Sequence, residues 1–169
     1  MTLGFYPNFP TNIHRAETFD TTLQIKQLQQ KLIEVFFEVN RKEYSFEEVA
    51  SPTVPGGRVI FEFGLADSDG FTFLDETELK KAQDVLQKER VTALDFFCSI
   101  RYYKGSGENK TALKFDYYML RAVFGKGTME LQVFHERGPR YLSPEDLAAF
   151  VEEKINENVA RKILRKAEL

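Results

Sequence analysis

The chain has little of what most catalytic and metal-binding sites are made from. Its 169 residues include one cysteine, Cys98, two histidines and no tryptophan. A single cysteine excludes an intrachain disulfide and a metal cluster held by several thiolates. The two histidines, His14 and His135, lie near opposite ends of the sequence, and no pattern predicts that they meet at a metal ion.

Charge and hydropathy show no extreme either. The formal net charge of −3 argues against a broad nucleic-acid surface, although a local basic patch is compatible with it. No apolar run approaches the roughly 18 residues that a membrane span needs. The first 17 residues lack the basic start and the continuous apolar stretch of a secretion signal. We therefore expect a cytoplasmic protein with no membrane-spanning segment.

Aromatic residues are the abundant component. Sixteen Phe and seven Tyr accompany an apolar fraction of 43%, which is enough to fill the core of one domain. Residues 1–18 contain two prolines, two asparagines and three rings, and this composition predicts an irregular N-terminal arm. Residues 19–169 are expected to form a single domain, since no linker divides them.

Periodicity and capping patterns predict three principal helices. An apolar stripe predicts the first over about 21–41, with Thr21 as its cap, and the heptad-like spacing also suits pairing with a second copy. Asp75 marks the start of the second helix. Ser143 and the proline after it mark the start of the third, whose apolar stripe continues to Ile163.

Alternating apolar residues predict about five strands. Two cover residues 58–66 and 71–74, and three longer ones cover roughly 91–103, 110–124 and 128–136. Short glycine-containing connections make the last three an antiparallel meander. The predicted fold class is therefore α+β, with a twisted antiparallel, or mixed, sheet of about five strands and three principal helices.

Alternation also divides the side chains of the meander between two faces. The apolar face is expected to meet the helices. The other face carries rings interleaved with cations, and from it we predict an interaction surface formed by Phe97, Arg101, Tyr103, Lys114, Tyr118 and Phe134. Four carboxylates are assigned to the same face and would repel phosphate: Asp95, Asp116, Glu130 and Glu136. This mixture of charges favours a protein partner over a base-stacking surface for RNA.

The acidic stretch DSDGFTFLDETE over 67–78 resembles a calcium-binding loop only in its density of carboxylates. Phe71 stands where an oxygen ligand is needed, and the glycine comes two positions too early. A tight turn followed by a helix start explains the same residues. An improvised cation site formed by Asp67, Asp69 and Asp75 is the alternative.

The segment FHERGPRY over 134–141 is the most enzyme-like stretch. His135, Glu136, Arg137 and Arg140 bring together a base, a carboxylate and two guanidinium groups, and we predict them as a candidate pocket or anion site. Cys98 falls on the apolar face, where a buried small side chain is expected rather than a nucleophile.

These features favour a non-enzymatic interaction domain that forms homo-oligomers or binds another protein. The alternative is a small-molecule-binding protein, or an enzyme, with a pocket between the sheet and its helices. A third interpretation is a nucleic-acid-associated protein that uses Arg101, Lys114, Arg161 and Arg165. We expect no cofactor.

Overall fold

Nine strands and four helices make up the part of the chain that the computed structural model describes, which is residues 3–50, 56–67, 70–105, 109–157 and 159–167. The strands are β1 (Arg15–Thr21), β2 (Glu43–Ser45), β3 (Gly57–Asp67), β4 (Gly70–Phe73), β5 (Ala93–Lys104), β6 (Thr111–Ala112), β7 (Asp116–Gly125), β8 (Thr128–Arg137) and β9 (Leu164–Lys166). The helices are α1 (Ile25–Val39), α2 (Phe46–Val49), α3 (Glu76–Lys88) and α4 (Pro144–Asn156).

The strands form one sheet in the order β2-β3-β5-β7-β8-β1-β9, with β4 also beside β3 and β6 also beside β5. Every neighbouring pair is antiparallel. The predicted α+β class is confirmed, and the predicted meander is present as β5, β7 and β8 at the centre of the sheet. The predicted strand over 110–124 is broken into β6 and β7.

The prediction of about five strands is wrong because short or polar segments also join the sheet. β1 begins at Arg15, so residues 15–18 belong to the sheet and not to an irregular arm. β2, β6 and β9 have three, two and three residues, which is too short to display a period of two in the sequence.

Three helices, α1, α3 and α4, lie on one face of the sheet, here called the helix face. α1 contacts both α3 and α4, and its Phe36 stacks on Phe63 of β3 with ring centroids 4.1 Å apart. Leu28 and Leu32 of its apolar stripe are at most 1% exposed. Packing inside the domain therefore explains the heptad-like spacing of α1. None of the helices in the described ranges is long and apolar enough to span a membrane.

Two predicted helix starts are confirmed and one is wrong. Asp75 accepts a hydrogen bond of 2.9 Å from the N–H of Glu78 at the start of α3. Ser143 accepts one of 3.1 Å at the start of α4. Thr21 does not cap α1, because it ends β1 and the N-cap is Gln24.

The predicted continuation of α4 to Ile163 is also wrong. α4 ends at Asn156, whose amide oxygen accepts the N–H groups of Ile163 and Leu164, both at 2.9 Å. Its amide nitrogen donates to the carbonyl of Leu164. These bonds turn the chain back, so that Leu164–Lys166 pairs with β1 as β9.

The segment over 3–14, here called the arm, crosses part of the opposite face of the sheet, the outer face. The N–H of Tyr6 donates to the carboxylate of Asp95 at 2.7 Å. Arg121 donates two further hydrogen bonds of 2.6 and 2.8 Å to the same carboxylate, and its guanidinium lies 4.4 Å from the centre of the Phe9 ring. Asp95 is therefore neutralised beneath the arm.

Candidate binding site on the outer face

The phase of β7 is opposite to the predicted one. Because the chain leaves the sheet between β6 and β7, the alternation that was carried through residues 110–124 is interrupted. Asp116 and Tyr118 consequently point to the helix face and are 0% exposed, while Tyr117 and Met119 point outward and are partly exposed. The assignment of Asp116 and Tyr118 to the outer face, and with it Tyr118 as part of the interaction surface, is wrong.

Four other members of the predicted surface do lie on the outer side of the sheet. Phe97, Arg101 and Tyr103 alternate along β5 and are partly exposed. Phe134 of β8 lies under the arm, where the His14 ring stacks on it at a centroid distance of 4.9 Å. The arm thus occupies the half of the outer face around Asp95 and Phe134.

The other half of the outer face, here called the open half, carries partly exposed side chains from β3, β5, β7 and the segment before β7. They are Ile60, Glu62, Ser99, Arg101, Tyr103, Phe115 and Tyr117. A pocket between the sheet and the helices, as the sequence predicts, would lie on the helix face. A ligand on the open half would therefore bind on the opposite side of the sheet from that predicted pocket.

Outward rings form a row across the sheet. Phe71, Phe97, Tyr117 and Phe115 follow one another with centroid separations of 5.7, 5.9 and 6.0 Å. Tyr6 of the arm lies at one end, 4.8 Å from Phe71. The row therefore leads from the arm into the open half.

The far end of the row opens into a surface depression with a volume of about 560 Å³. We call it the Lys114–Arg137 depression, and its lining is Lys114, Phe115, Tyr117, Arg137, Gly138 and Pro139. The guanidinium of Arg137 lies 4.4 Å from the centre of the Tyr117 ring. The described lining thus combines two cations with two rings and includes no carboxylate.

Neither cation of the depression belongs to an ion pair within the described ranges. Arg101, on the same half of the sheet, behaves differently, since it pairs with Glu62 at 3.0 Å. Among the described residues, Lys114 and Arg137 therefore have no counter-charge that an anion from solution would need to displace.

A buried network holds the wall of the depression in place. Asp116 accepts hydrogen bonds of 2.6 Å from the Tyr102 hydroxyl, 2.8 Å from His135 Nε2, and 2.7 and 3.0 Å from the N–H groups of Arg140 and Tyr141. Four donors match the four acceptor positions of an ionised carboxylate. Asp116 thereby fixes the loop over 137–142 to β7.

His135 is a member of this network and not a free base. Its Nδ1 accepts a hydrogen bond of 3.2 Å from Arg140 Nε, which places the ring proton on Nε2, where it is donated to Asp116. The candidate cluster predicted from the sequence is therefore divided. His135 is buried, Arg140 is exposed but donates hydrogen bonds to His135 and Asp116, and Glu136 and Arg137 are exposed.

Two buried tyrosines extend the network toward α4. The Tyr102 hydroxyl accepts the N–H of Leu142 at 3.0 Å, and the Tyr118 hydroxyl donates to the Leu142 carbonyl. Burial raises the pKa of both hydroxyls well above the ordinary tyrosine value. Both tyrosines therefore stay protonated and act as hydrogen-bond donors at neutral pH.

Gly138 allows the loop to approach β7 closely. Its φ is +119°, and a Cβ at this position would lie 2.3 Å from the carbonyl oxygen of Phe115 and 2.5 Å from Asp116 Oδ1. A side chain here would require both a strained backbone and a displaced strand. The position of Arg137 beside Tyr117 thus depends on this glycine.

The cation site proposed as an alternative for the acidic stretch is only partly visible, since Asp69 lies outside the described residues. Asp67 accepts hydrogen bonds of 3.1 Å from the N–H of Gly70 and 2.9 Å from the Thr72 hydroxyl, and Asp75 caps α3. The turn and helix start are thus confirmed for these two carboxylates. In the ranges the structure covers, no three His, Cys, Asp or Glu side chains are grouped to hold a metal ion.

Two further sequence expectations concern Cys98 and the cations of the nucleic-acid interpretation. Cys98 is 0% exposed, and burial raises the pKa of its thiol, as expected for a buried small side chain. The cations of the nucleic-acid interpretation are spread over the sheet, and this interpretation stays a prediction. Arg165 lies in β9, four strands from Arg101 in β5, which is about 19 Å at the usual strand spacing.

Comparison of the chain with protein-family models, with curated proteins and with solved structures gives no match.

Proposed function

We propose that the protein is a non-enzymatic binding module whose partner docks on the open half of the outer face. The observation that carries this proposal is the Lys114–Arg137 depression, where two cations that form no ion pair with any described residue meet two partly exposed rings. Its floor belongs to the central strands and its wall is fixed by Asp116. A rigid site of this kind loses little conformational freedom when a ligand binds.

The remaining parts of the sheet support this choice. Helices fill one face, and the arm occupies the half of the outer face around Asp95. His135 and Asp116, which have the most enzyme-like chemistry, are bonded to each other and to the 137–142 loop. Because their hydrogen-bonding atoms are used inside the domain, we assign His135 and Asp116 a structural role and the neighbouring surface the binding role.

Self-association, which the sequence predicts, stays a prediction. Since the apolar stripe of α1 is buried in the domain, the outer face is the surface that we propose for a second copy. Light scattering on the wild type and on Tyr103→Asp tests this. A dimer that the variant converts to a monomer supports docking of a second copy, and a monomeric wild type excludes it.

The proposed binding surface is tested by amide NMR titrations with three probes of different charge: 5′-AMP, hexaglutamate and hexalysine. We expect at least one anionic probe to shift the amides of residues 99–103, 115–119, 137 and 138. The double variant Lys114→Ser/Arg137→Ser should abolish this response. The matched control Lys80→Ser/Lys88→Ser changes two exposed lysines of α3 and should preserve it. The proposal is wrong if no probe shifts the open half, or if the Lys114/Arg137 variant responds like the wild type.

A further inference from the structure

We infer that the Lys114–Arg137 depression binds a nucleotide unit, meaning a nucleobase together with its phosphate. This assignment rests on the proposed function and names the ligand class for the same site. A free nucleotide and the end of an unpaired nucleic-acid strand both present this chemistry. The volume of about 560 Å³ lies within the range of roughly 300–1,000 Å³ that is usual for ligand sites.

The two cations account for the phosphate. Arg137 presents a planar guanidinium that can donate two parallel hydrogen bonds to phosphate oxygens, and Lys114 adds a compact positive charge. Both line the same depression, and neither is neutralised by a carboxylate within the described ranges. An anion with several oxygens fits this pair better than a single carboxylate does.

The rings account for the base. Tyr117 and Phe115 are partly exposed, their centroids are 6.0 Å apart, and Arg137 already lies over Tyr117. A base inserted at this end of the row would stack on a ring or on the guanidinium plane. An acidic peptide would use the cations but leave these ring faces unused, so the combination favours a nucleotide.

Two carboxylates that would repel phosphate are absent from this surface. Asp95 is buried beneath the arm, where Arg121 donates two hydrogen bonds to it. Asp116 is buried inside the domain with its four hydrogen-bond donors. Glu62 is paired with Arg101, and Glu136 is an exposed carboxylate near the end of β8. The net charge of −3 opposes a long polyanion, and two cations match one or two phosphates.

Isothermal titration calorimetry at low salt tests the ligand class with 5′-AMP, adenosine, inorganic phosphate, hexa-adenylate and a short DNA duplex. We expect 5′-AMP and hexa-adenylate to bind, and adenosine or phosphate alone to bind about tenfold more weakly or worse, because each loses half of the contacts. The duplex should bind no better than phosphate, since its bases are stacked and unavailable. Tighter binding of hexa-adenylate than of 5′-AMP identifies a strand as the source, and equal affinity identifies a free nucleotide.

Three single-residue variants locate the site. Arg137→Gln and Tyr117→Leu should each weaken 5′-AMP binding roughly tenfold. Phe5→Leu is the matched control, because Phe5 is an exposed ring of the arm, outside the open half, with the Arg121 guanidinium 5.2 Å from its centre, and it should change the affinity less than about twofold. For hexa-adenylate, the slope of log affinity against log salt should fall from about −1.4 in the wild type to about −0.7 in Arg137→Gln.

Three patterns would overturn the assignment, and the first two differ in what they say about the proposed function. If hexaglutamate shifts the amides of the open half while 5′-AMP and hexa-adenylate do not, the nucleotide assignment fails and the binding surface stands. If none of these probes shifts the open half, both fail. Equal affinities of the wild type, Arg137→Gln and Tyr117→Leu for 5′-AMP would also overturn the assignment, provided that the circular dichroism spectra show all three folded.

Discussion

Replacing Asp116 with Asn tests whether the buried carboxylate holds the 137–142 loop. Asn keeps the size of the side chain but turns one acceptor atom into an NH₂ donor. At the position of Oδ1 this group would face two donors, His135 Nε2 and the N–H of Arg140. At the position of Oδ2 it would face the N–H of Tyr141 and the Tyr102 hydroxyl, and a hydroxyl can rotate to accept.

The second orientation of the Asn side chain costs less free energy, so it determines the expected loss of stability. Two buried donors, the N–H of Tyr141 and the O–H of Tyr102, lose their acceptor, and each loss costs about 1–3 kcal/mol. The remaining hydrogen bonds change from charge-assisted to neutral, and charge-assisted bonds are roughly twice as strong. We therefore expect Asp116→Asn to lower the free energy of unfolding by about 3–5 kcal/mol, a large part of the roughly 5–15 kcal/mol typical of a domain.

Urea unfolding followed by far-ultraviolet circular dichroism measures this change, since the chain has no tryptophan for fluorescence. The control is Asp84→Asn, whose side chain is 62% exposed on α3 and whose effect should stay within about 0.5 kcal/mol. Tyr102→Phe should cost about 1.5–3 kcal/mol alone and clearly less in the Asp116→Asn background, because the two residues share one hydrogen bond. A loss below about 1 kcal/mol for Asp116→Asn, or additive effects, would refute the four-donor network.

Three further outcomes follow from single positions. Gly138→Ala should lower the free energy of unfolding by at least about 2 kcal/mol in urea, because its Cβ would collide with Phe115. Gly127→Ala, where φ is +74° and no atom lies within 4 Å, should cost only about 1 kcal/mol, and equal losses would contradict the close approach. Desolvation and the positive charge of Arg140 lower the pKa of His14 below 6.5. The imidazole of His14 therefore takes up a proton at a higher pH in the unfolded chain than in the folded one. The contribution of neutral His14 to the free energy of unfolding is complete above pH 6.5 and is lost as the pH falls through the lowered pKa. NMR titration should show the lowered pKa, and His14→Asn should reduce the pH dependence; an unchanged pH profile would exclude His14 as its source. The buried thiol of Cys98 should react with a thiol reagent only on unfolding, and rapid labelling of the native protein would contradict that.

The parts of the fold that the sequence predicts correctly are those with local physical signals. Asp75 and Ser143 mark helix starts because an N-cap needs a particular side chain at a particular place. β3 alternates cleanly, with Val59, Phe61 and Phe63 all 0% exposed. β2, β6 and β9 carry no such signal, because two or three residues are held in the sheet by their neighbours and not by their own pattern.

The end of α4 shows why a helical period can mislead. Residues 159 and 163 continue the apolar spacing of α4, yet the chain leaves the helix at Asn156. The cause is a set of non-local side-chain bonds, from Asn156 to the backbone of Ile163 and Leu164. A periodicity of apolar residues records burial, and burial in the same core can be reached by a turn and a strand.

The candidate site was only half predictable, for a reason that lies in β7. The sequence placed Lys114, Arg137 and the rings of β5 at a surface, but it carried one phase through residues 110–124. Arg121 indicates the opposite alternation. The predicted one would have placed this cation on the apolar face and buried it. With Arg121 outward, Tyr117 joins the aromatic row and Asp116 turns inward. Gly138 and its positive φ could not be recognised, because the constraint comes from a strand about 20 residues away.

The same change of phase alters the electrostatics of the outer face. Asp116 is buried inside the domain, and Asp95 is buried beneath the arm. The Lys114–Arg137 depression is therefore locally cationic, although the chain carries a net charge of −3. At 0.1 M salt, exposed charges more than about 10 Å apart are largely screened, so the two cations in the depression dominate for a ligand that reaches only them. Additional phosphates of a longer strand would lie beyond the depression, whose described lining contains no third cation. Affinity for oligoadenylates should therefore stop rising after one or two phosphates, whereas a continuous basic groove would gain affinity with every added nucleotide.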